Sequence, residues 1–365
     1  MDHQPASIKF AIIGHQDSWK SVAQFVNNIR ITNDNELLSL EKIKQVYGFI
    51  PPRKLFDIVV NSTSCDSING AYIETFISPD ELDIKHLRKN IEKVKDACIL
   101  ASKLGASVVS LGGFSSIVLE TGNENFTSIN KTSFTTGNTL TAGFIAKGIE
   151  KACAFWDVEL DQSTLLIIGS TGDIGSACLE YFAGKAKKML LCARQHGPLL
   201  KQSDLLTQKG IENIASPVLK ELIPNADIII SVASSIIENN DLDELNEHCI
   251  VCDAGYPKNL QSSRLQDHER LFYGGMGMIK NGFYFENNVH DSSYKFCLPD
   301  VGHGCLLEGV VLALENKFCA YSKGKGNITT NAMNEILEMA AKHGIEAAPL
   351  FNDHVLELVK EKVYV

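Results

Sequence analysis

No apolar run in this 365-residue chain approaches the roughly 18 residues needed to span a bilayer. The opening MDHQPASIKFAIIGHQDSW has an early acid and only a short apolar run, so it does not read as a signal peptide. Excess basic charge is missing too. With 34 Lys and Arg against 44 Asp and Glu, the net charge is −10 and the pI near 5.5. That balance argues against duplex nucleic acid as the main partner, because phosphate binding needs a positive field. The ten cysteines are scattered and lack a secretory context, so thiols in a reducing cytoplasm are expected. There is no internal repeat, no low-complexity tract and no metal-ligand cluster, and a need for a divalent cation is left open. What is present is a chain 44% hydrophobic and 21% charged, apolar enough for a sizeable core and long enough for two or three domains.

In residues 1–155 the runs KFAIIGH, LFDIVV, YIETFI and ASVVSLGG alternate with helical patterns at 18–28, 79–104 and 138–154, which predicts an α/β N-terminal domain. Residues 156–288 hold four buried-type strands, TLLIIG, KMLLCA, DIIISVA and CIVCDAG, separated by helix-compatible segments. This pattern predicts a Rossmann-type parallel sheet in the middle of the chain. Residues 289–365 read as a helical C-terminal portion, since HGCLLEGVVLALENKF, NAMNEILEMAAKHG and NDHVLELVKEKV space apolar residues at i, i+3, i+4 and i+7. The fold class is therefore α/β.

The most specific local motif is TLLIIGSTGDIGSACLEYF, in which an apolar strand runs into Gly169, Ser170, Thr171, Gly172, Asp173, Ile174 and Gly175 and then a helix. The spacing is G-x-x-G-x-x-G, a variant of the dinucleotide fingerprint. Glycines there permit a tight turn and close approach of a pyrophosphate, and the helix N-terminus offers N–H groups and partial positive charge. The bland alternative is an ordinary βα turn. An NAD site usually carries an acid about 20 residues further on, at the end of the second strand. KMLLCARQHG instead has Arg194, with no carboxylate before Asp204, and a guanidinium there suits a 2′-phosphate. The expected cofactor is therefore NADPH. Val232 and Ala233, after the DIIIS strand, and Gly255 and Tyr256, after CIVCD, are the expected neighbours of the ribose and nicotinamide, with a plain strand-end turn as the alternative for the second pair.

Several motifs occur together and in order: LGGF (111–114), TTGNT (135–139), GSTGDIGSA (169–177), GYPKNL (255–260) and GCLLEGVVLALE (304–315). In these the chain resembles the long-chain acyl-[acyl-carrier-protein] reductases, the aldehyde-forming enzymes of the cyanobacterial alkane pathway. The resemblance covers most of the chain and is weak over residues 15–70. It implies a two-step reduction: a cysteine takes the acyl group from a thioester, and NADPH hydride then converts it to a fatty aldehyde. It places that nucleophile at Cys305.

The residues themselves give Cys305 a setting of the right kind. Thioester chemistry needs a thiolate, and a helix N-terminus or a nearby imidazolium lowers a thiol's pKa. Pro299 and Asp300 look like a helix start, and His303 stands two residues before the cysteine as a candidate base or proton donor. The alternatives are a small buried Cys305 and a solvated His303. Glu308, at i+3 from Cys305, either orients a water or faces solvent. Ser115, Ser116, Thr136 and Asn138 are candidates for holding the thioester or its carrier, with turn formation and helix capping as the plainer reading. Cys249 and Cys252 form a C-x-x-C without a second ligand pair, and Cys178 and Cys192 read as buried.

The implied partner is acyl carrier protein or acyl-CoA. Lys85, Arg88, Lys89 and Lys93 recur at helical spacing as a candidate docking patch, or as a solvated face. Transient contact with a membrane surface and the oligomeric state are left open. Two rival readings are a shikimate- or amino-acid-type NADP dehydrogenase, which would use a Lys–Asp pair in place of a thiol, and a non-catalytic NADPH- or carrier-binding protein.

Overall fold

Short apolar runs alternating with amphipathic segments fold here into largely parallel strands crossed by helices. The computed structural model describes residues 8–116, 126–233, 242–255, 268–285, 300–324 and 326–352, with positions 258, 265 and 298. From the N-terminus the chain runs β1 (Phe10–Gly14), α1 (Trp19–Thr32), α2 (Leu40–Val46), β2 (Arg53–Val60), β3 (Ile68–Glu74), α3 (Leu87–Lys103), β4 (Val108–Leu111), β5 (Ser128–Ile129) and β6 (Thr132–Thr135). It continues through α4 (Asn138–Trp156), β7 (Thr164–Ile168), α5 (Asp173–Phe182), β8 (Lys188–Cys192), α6 (His196–Gln208), β9 (Asn213–Ser216), β10 (Ile228–Ser231), β11 (Ile250–Asp253) and β12 (Leu271–Tyr273). Last come β13 (Met276–Ile279), β14 (Phe283–Phe285), β15 (Val301–His303), α7 (Gly304–Leu314), α8 (Thr330–Lys342) and β16 (Ile345–Ala347). Among the described residues no helix is long and apolar enough to cross a membrane.

The chain divides into two compact units. Unit 1 is Met1–Gly137, Met278–Gly324 and Glu338–Glu346; unit 2 is Asn138–Gly277, Lys325–Leu337 and Ala347–Val365. This differs from boundaries drawn at 155 and 288. Helix α4 belongs to unit 2 because Ala142, Ile145, Ala146 and Ile149 pack into one core with Leu165 and Ile167 of β7. Residues after 288 are shared between the units, and β15 and β16 interrupt the helices expected there. Of those helices, NDHVLELVKEKV lies almost entirely outside the described residues.

Unit 2 is built on a six-stranded sheet ordered β12-β11-β10-β7-β8-β9, with every neighbouring pair parallel. Counted from β7, this is the doubly wound order 3-2-1-4-5-6, which reverses between β7 and β10. Leu165 and Ile167 face one buried cluster while Leu166 and Ile168 face the other. Both faces are covered, so the strand reads as a continuous apolar run.

The sheet of unit 1 has seven strands ordered β14-β2-β3-β1-β4-β6-β5. Its centre, β3-β1-β4-β6, is parallel, whereas β2, β14 and β5 pair antiparallel at the two sides. Helix α3 covers one face through Val94, Ala97, Cys98 and Ala101. Helix α7 is buried from Leu306 to Leu314 and lies against β4. A Cβ on Gly309 would overlap Ser110 Oγ. That hydroxyl accepts from Gly309 N at 3.0 Å and donates to Leu306 O at 2.9 Å, which locks the helix to the strand.

Candidate active site

In unit 2 the reversal of strand order coincides with the glycine turn. Gly169 has φ +89°, and a Cβ there would stand 3.0–3.1 Å from the backbone of Val232 and Ala233 at the end of β10. A Cβ on Gly175 would overlap Gly169 O, so only glycine lets α5 close onto the turn. Gly172 caps α5 with no side-chain hydrogen bond. The first-turn amides of Asp173, Ile174 and Gly175 have no carbonyl four residues back within the helix. They form, with the helix dipole, a cradle for an anion at the switch point where open α/β sheets bind their ligands.

Two polar clamps hold this turn. Gln202 of α6 donates to Ser170 O at 2.8 Å and to Ser176 Oγ at 3.1 Å, and accepts from the fully buried Ser170 Oγ at 3.0 Å. Asp173 accepts from Asn138 Nδ2 at 3.0 Å and from Gly326 N at 2.9 Å. Asn138, expected on the acyl side, is thus hydrogen-bonded to the glycine turn. Sequence reasoning missed Gln202, although its place on the helix after β8 was the only available signal. Arg194 is exposed two residues past the end of β8, and no carboxylate lies between β8 and Asp204. Gly255 is buried, and its amide donates to Asp253 Oδ1 at 3.0 Å. Tyr256 lies outside the described residues.

In unit 1, Cys305 is the second residue of α7 and is half-buried. Two of the glycine motifs meet on it. A Cβ on Gly137 (φ +77°) would overlap Cys305 O and Cα; a Cβ on Gly112 would overlap Leu306 Cδ2 and stand 3.7 Å from Cys305 Sγ. The amides of Gly113, Cys305 and Leu306 all favour the thiolate. They are outweighed by burial, with a smaller opposing contribution from the charge of Glu308, and the thiol is pushed up to about 11. The expected fall toward neutrality is therefore corrected: a helix N-terminus and three amides do not offset desolvation plus a neighbouring carboxylate.

Other expectations change as well. Glu308 does not face solvent: it is fully buried, accepting from Thr135 Oγ1 and, at 2.8 Å, from Ser322 Oγ. Helix α7 starts at Gly304, so His303 is its N-cap and the last residue of β15 rather than part of a helix. Pro299 lies outside the described residues. Thr136 is fully buried, and its amide donates to Ser322 O at 3.0 Å. Ser116 Oγ donates to Gly113 O at 2.9 Å, a turn-forming role. Ser115 is fully buried, with an Oγ that has no hydrogen-bond partner. Phe114 N donates to His15 Nε2 at 3.0 Å; burial lowers this imidazole's pKa, with Asp17 opposing. A neutral ring accepting at Nε2 carries its proton on Nδ1.

No family model matches the chain. A curated relative, the long-chain acyl-[acyl-carrier-protein] reductase of Synechococcus elongatus, is 30% identical over 322 residues, covering 84% of this chain and 90% of the relative. The chain belongs to the long-chain acyl-[acyl-carrier-protein] reductase family. A second relative, aminotransferase PigE of a Serratia species, is 26% identical over 253 residues, which is 67% of this chain and 28% of that protein. Among solved structures, L-tryptophan dehydrogenase from Nostoc punctiforme is similar over 92% of this chain and 80% of its own, at 12% identity and a TM-score of 0.38. Likeness at that level assigns no activity to this chain.

Cys98, Cys178, Cys249 and Cys252 are buried free thiols, each pushed up by burial. Among the described residues no group of three or more His, Cys, Asp or Glu could hold a metal ion. The basic face of α3 is weaker than its spacing suggests. Lys93 donates to Ile50 O and Phe76 O, Lys89 pairs with Glu81 at 2.7 Å, and Arg88 lies 3.7 Å from Glu92.

An apolar cavity within unit 1 reaches Leu306, the residue that follows the cysteine. It contains about 430 Å3 of space not filled by protein atoms, its open mouth included, and its walls include Ile12, Tyr72, Phe283, Leu306, Leu307 and Val310.

Proposed function

We propose that this reductase converts a long-chain fatty acyl thioester, carried on acyl carrier protein or coenzyme A, to the fatty aldehyde at the expense of NADPH. The acyl group is held on Cys305 between the two halves of the reaction. The observation that carries this reading is the convergence of LGGF and TTGNT on one residue: Gly112 borders the Cys305 sulphur and Leu306, the Gly113 amide favours the thiolate, and Gly137 borders the Cys305 backbone. Leu306, next to that cysteine, in turn lines a cavity suited to methylene groups.

The Cys305 sulphur attacks the thioester carbonyl. A new S–C bond forms, the carrier thiol leaves, and it takes up the proton that Cys305 gave up. With a thiol near 11, only about one part in ten thousand is ionised at neutral pH, so the proton needs an acceptor. We assign that role to His303, the N-cap of α7. Bound NADPH supplies the hydride that reduces the acyl carbon. When the C–S bond then breaks, aldehyde is released and Sγ leaves as thiolate, which takes a proton from solvent, so that one proton is consumed per turnover. The residues of unit 2 suit the cofactor: glycines 169 and 175 let the turn pack closely against β10 and α5, which leaves the first-turn amides of α5 for a pyrophosphate, and the exposed Arg194 after β8 would take the 2′-phosphate.

The test is a steady-state assay of palmitoyl thioester with NADPH, following both cofactor oxidation and aldehyde. Wild type is expected to form aldehyde, and Cys305→Ala to lose it by at least about a thousandfold, in the range of other covalent nucleophiles. Arg194→Ala is expected to raise KM for NADPH while leaving that for NADH unchanged. Undiminished aldehyde from Cys305→Ala would exclude the covalent route.

A further inference from the structure

We infer that the acyl chain lies across the unit 1 sheet with its methyl end against Phe283, and that this residue sets the longest chain accepted. The inference rests on the acyl-thioester reading above and adds the direction and the stop.

The sulphur fixes one end. Gly112 follows β4 and Gly137 follows β6, and both border the first turn of α7, so Cys305 sits on the β4–β6 side of the sheet. Leu306 Cδ2 and Cys305 Sγ both lie over Gly112, which makes Leu306 the cavity wall next to the nucleophile. Ile279 of β13 and Val301 and Gly302 of β15 also line it, but the wall residues that belong to the seven-stranded sheet lie from β1 outward, away from β4 and β6. They are Ile12 on β1, Tyr72 on β3, Ile58 and Val60 on β2, and Phe283 on β14. In the sheet order β14-β2-β3-β1-β4-β6-β5 these strands lead away from the thiol to the far edge. At about 4.8 Å per strand, the path from β1 to β14 covers roughly 14 Å, a distance suited to a long chain and wasted on a short one.

The wall offers almost nothing polar. Tyr72 is its one polar side chain, and the hydroxyl is turned into Glu74 Oε2 at 2.9 Å while the ring stacks on Phe56 with centroids 4.7 Å apart. A cavity of this kind recognises methylenes and rejects a polar terminus, whose hydrogen bonds would be lost on entry. Its outer limit is the edge strand. Phe283 pairs with Val60 in register and is half-buried, and the next residue, Tyr284, is 61% exposed. Phe283 is therefore the last side chain between the cavity and the edge of the sheet.

The test measures acylation of Cys305 by intact-mass spectrometry over a series from octanoyl to eicosanoyl thioesters. Wild type is measured beside Phe283→Ala, Phe283→Trp and, as a neighbouring control, Tyr284→Ala. Cofactor binding by each variant serves as the check of folding. Phe283→Ala is expected to move the optimum toward longer chains, changing the ratio of rates for the longest and middle chains by about tenfold. Phe283→Trp is expected to move it toward shorter ones, and Tyr284→Ala to leave it in place. An identical chain-length profile in wild type, Phe283→Ala and Phe283→Trp, with wild type acylated normally, overturns the stop alone. Absence of acylation in wild type for every chain overturns the thioester reading, and this inference with it.

Discussion

At Cys305 the amides of Gly113, Cys305 and Leu306 pull the thiol toward ionisation, while burial and Glu308 push it to about 11. The thiolate is the reactive form, so its share rises about tenfold per pH unit below that value. Alkylation of Cys305 by iodoacetamide, followed by mass spectrometry, is therefore expected to accelerate from pH 7 to pH 10 without a plateau. Glu308→Gln removes the opposing charge, lowers the thiol pKa and should speed alkylation at any fixed pH in that range. A plateau near pH 8 would contradict this ordering of effects. The sequence pointed to Cys305 through resemblance, but the environment of Glu308 was not legible. Its partner Thr135 lies 173 residues away and Ser322 lies beyond the end of the helix, and a helix position alone cannot say whether a carboxylate meets solvent or a pocket of hydroxyls.

The elements that carry these residues were readable where their period was strong. TLLIIG, KMLLCA, DIIISVA and CIVCDAG become β7, β8, β10 and β11, since strands covered on both faces must be apolar throughout. Three-residue strands such as β12, β15 and β16 were not readable, because pairing with a partner defines them and their own composition does not. The glycines were legible as turn residues. What the sequence could not tell is which backbone comes up against each one. Gly175→Ala would drive its Cβ into Gly169 O and displace α5 from the turn; a loss of about 1–3 kcal/mol in unfolding free energy, with NADPH binding abolished in calorimetry, is expected. Gln202→Leu leaves Ser170 Oγ buried without its partner. It should weaken NADPH binding by about tenfold while Cys305 acylation proceeds at the wild-type rate. Equal loss of both would mark Gln202 as a general stability residue.

Over the whole molecule, both units gather chain from beyond residue 288, so no cut at a single position separates the thiol's support from the rest. Unit 1 also buries a carboxyl outside the thiol site. Glu74 accepts from Gln16, Tyr72, Tyr47 and the Phe76 amide, yet burial outweighs them and pushes it up from 4.5 to about 7. The folded state thus holds this proton where the unfolded chain has lost it. The contribution is fully present below pH 4.5 and is lost as the pH rises through 7, by roughly 3 kcal/mol in all. Urea unfolding across that window should show a steeper decline for wild type than for Glu74→Gln, and parallel curves would contradict the assignment. The functional account meets its most direct test in a single-turnover experiment. Enzyme is mixed with a stoichiometric palmitoyl thioester in the absence of NADPH, digested and mapped, and a parallel sample receives NADPH. A palmitoyl adduct is expected on Cys305, to be discharged on addition of NADPH as one equivalent of palmitaldehyde. An unmodified Cys305 accompanied by aldehyde formation, or an adduct that NADPH leaves untouched, would contradict it.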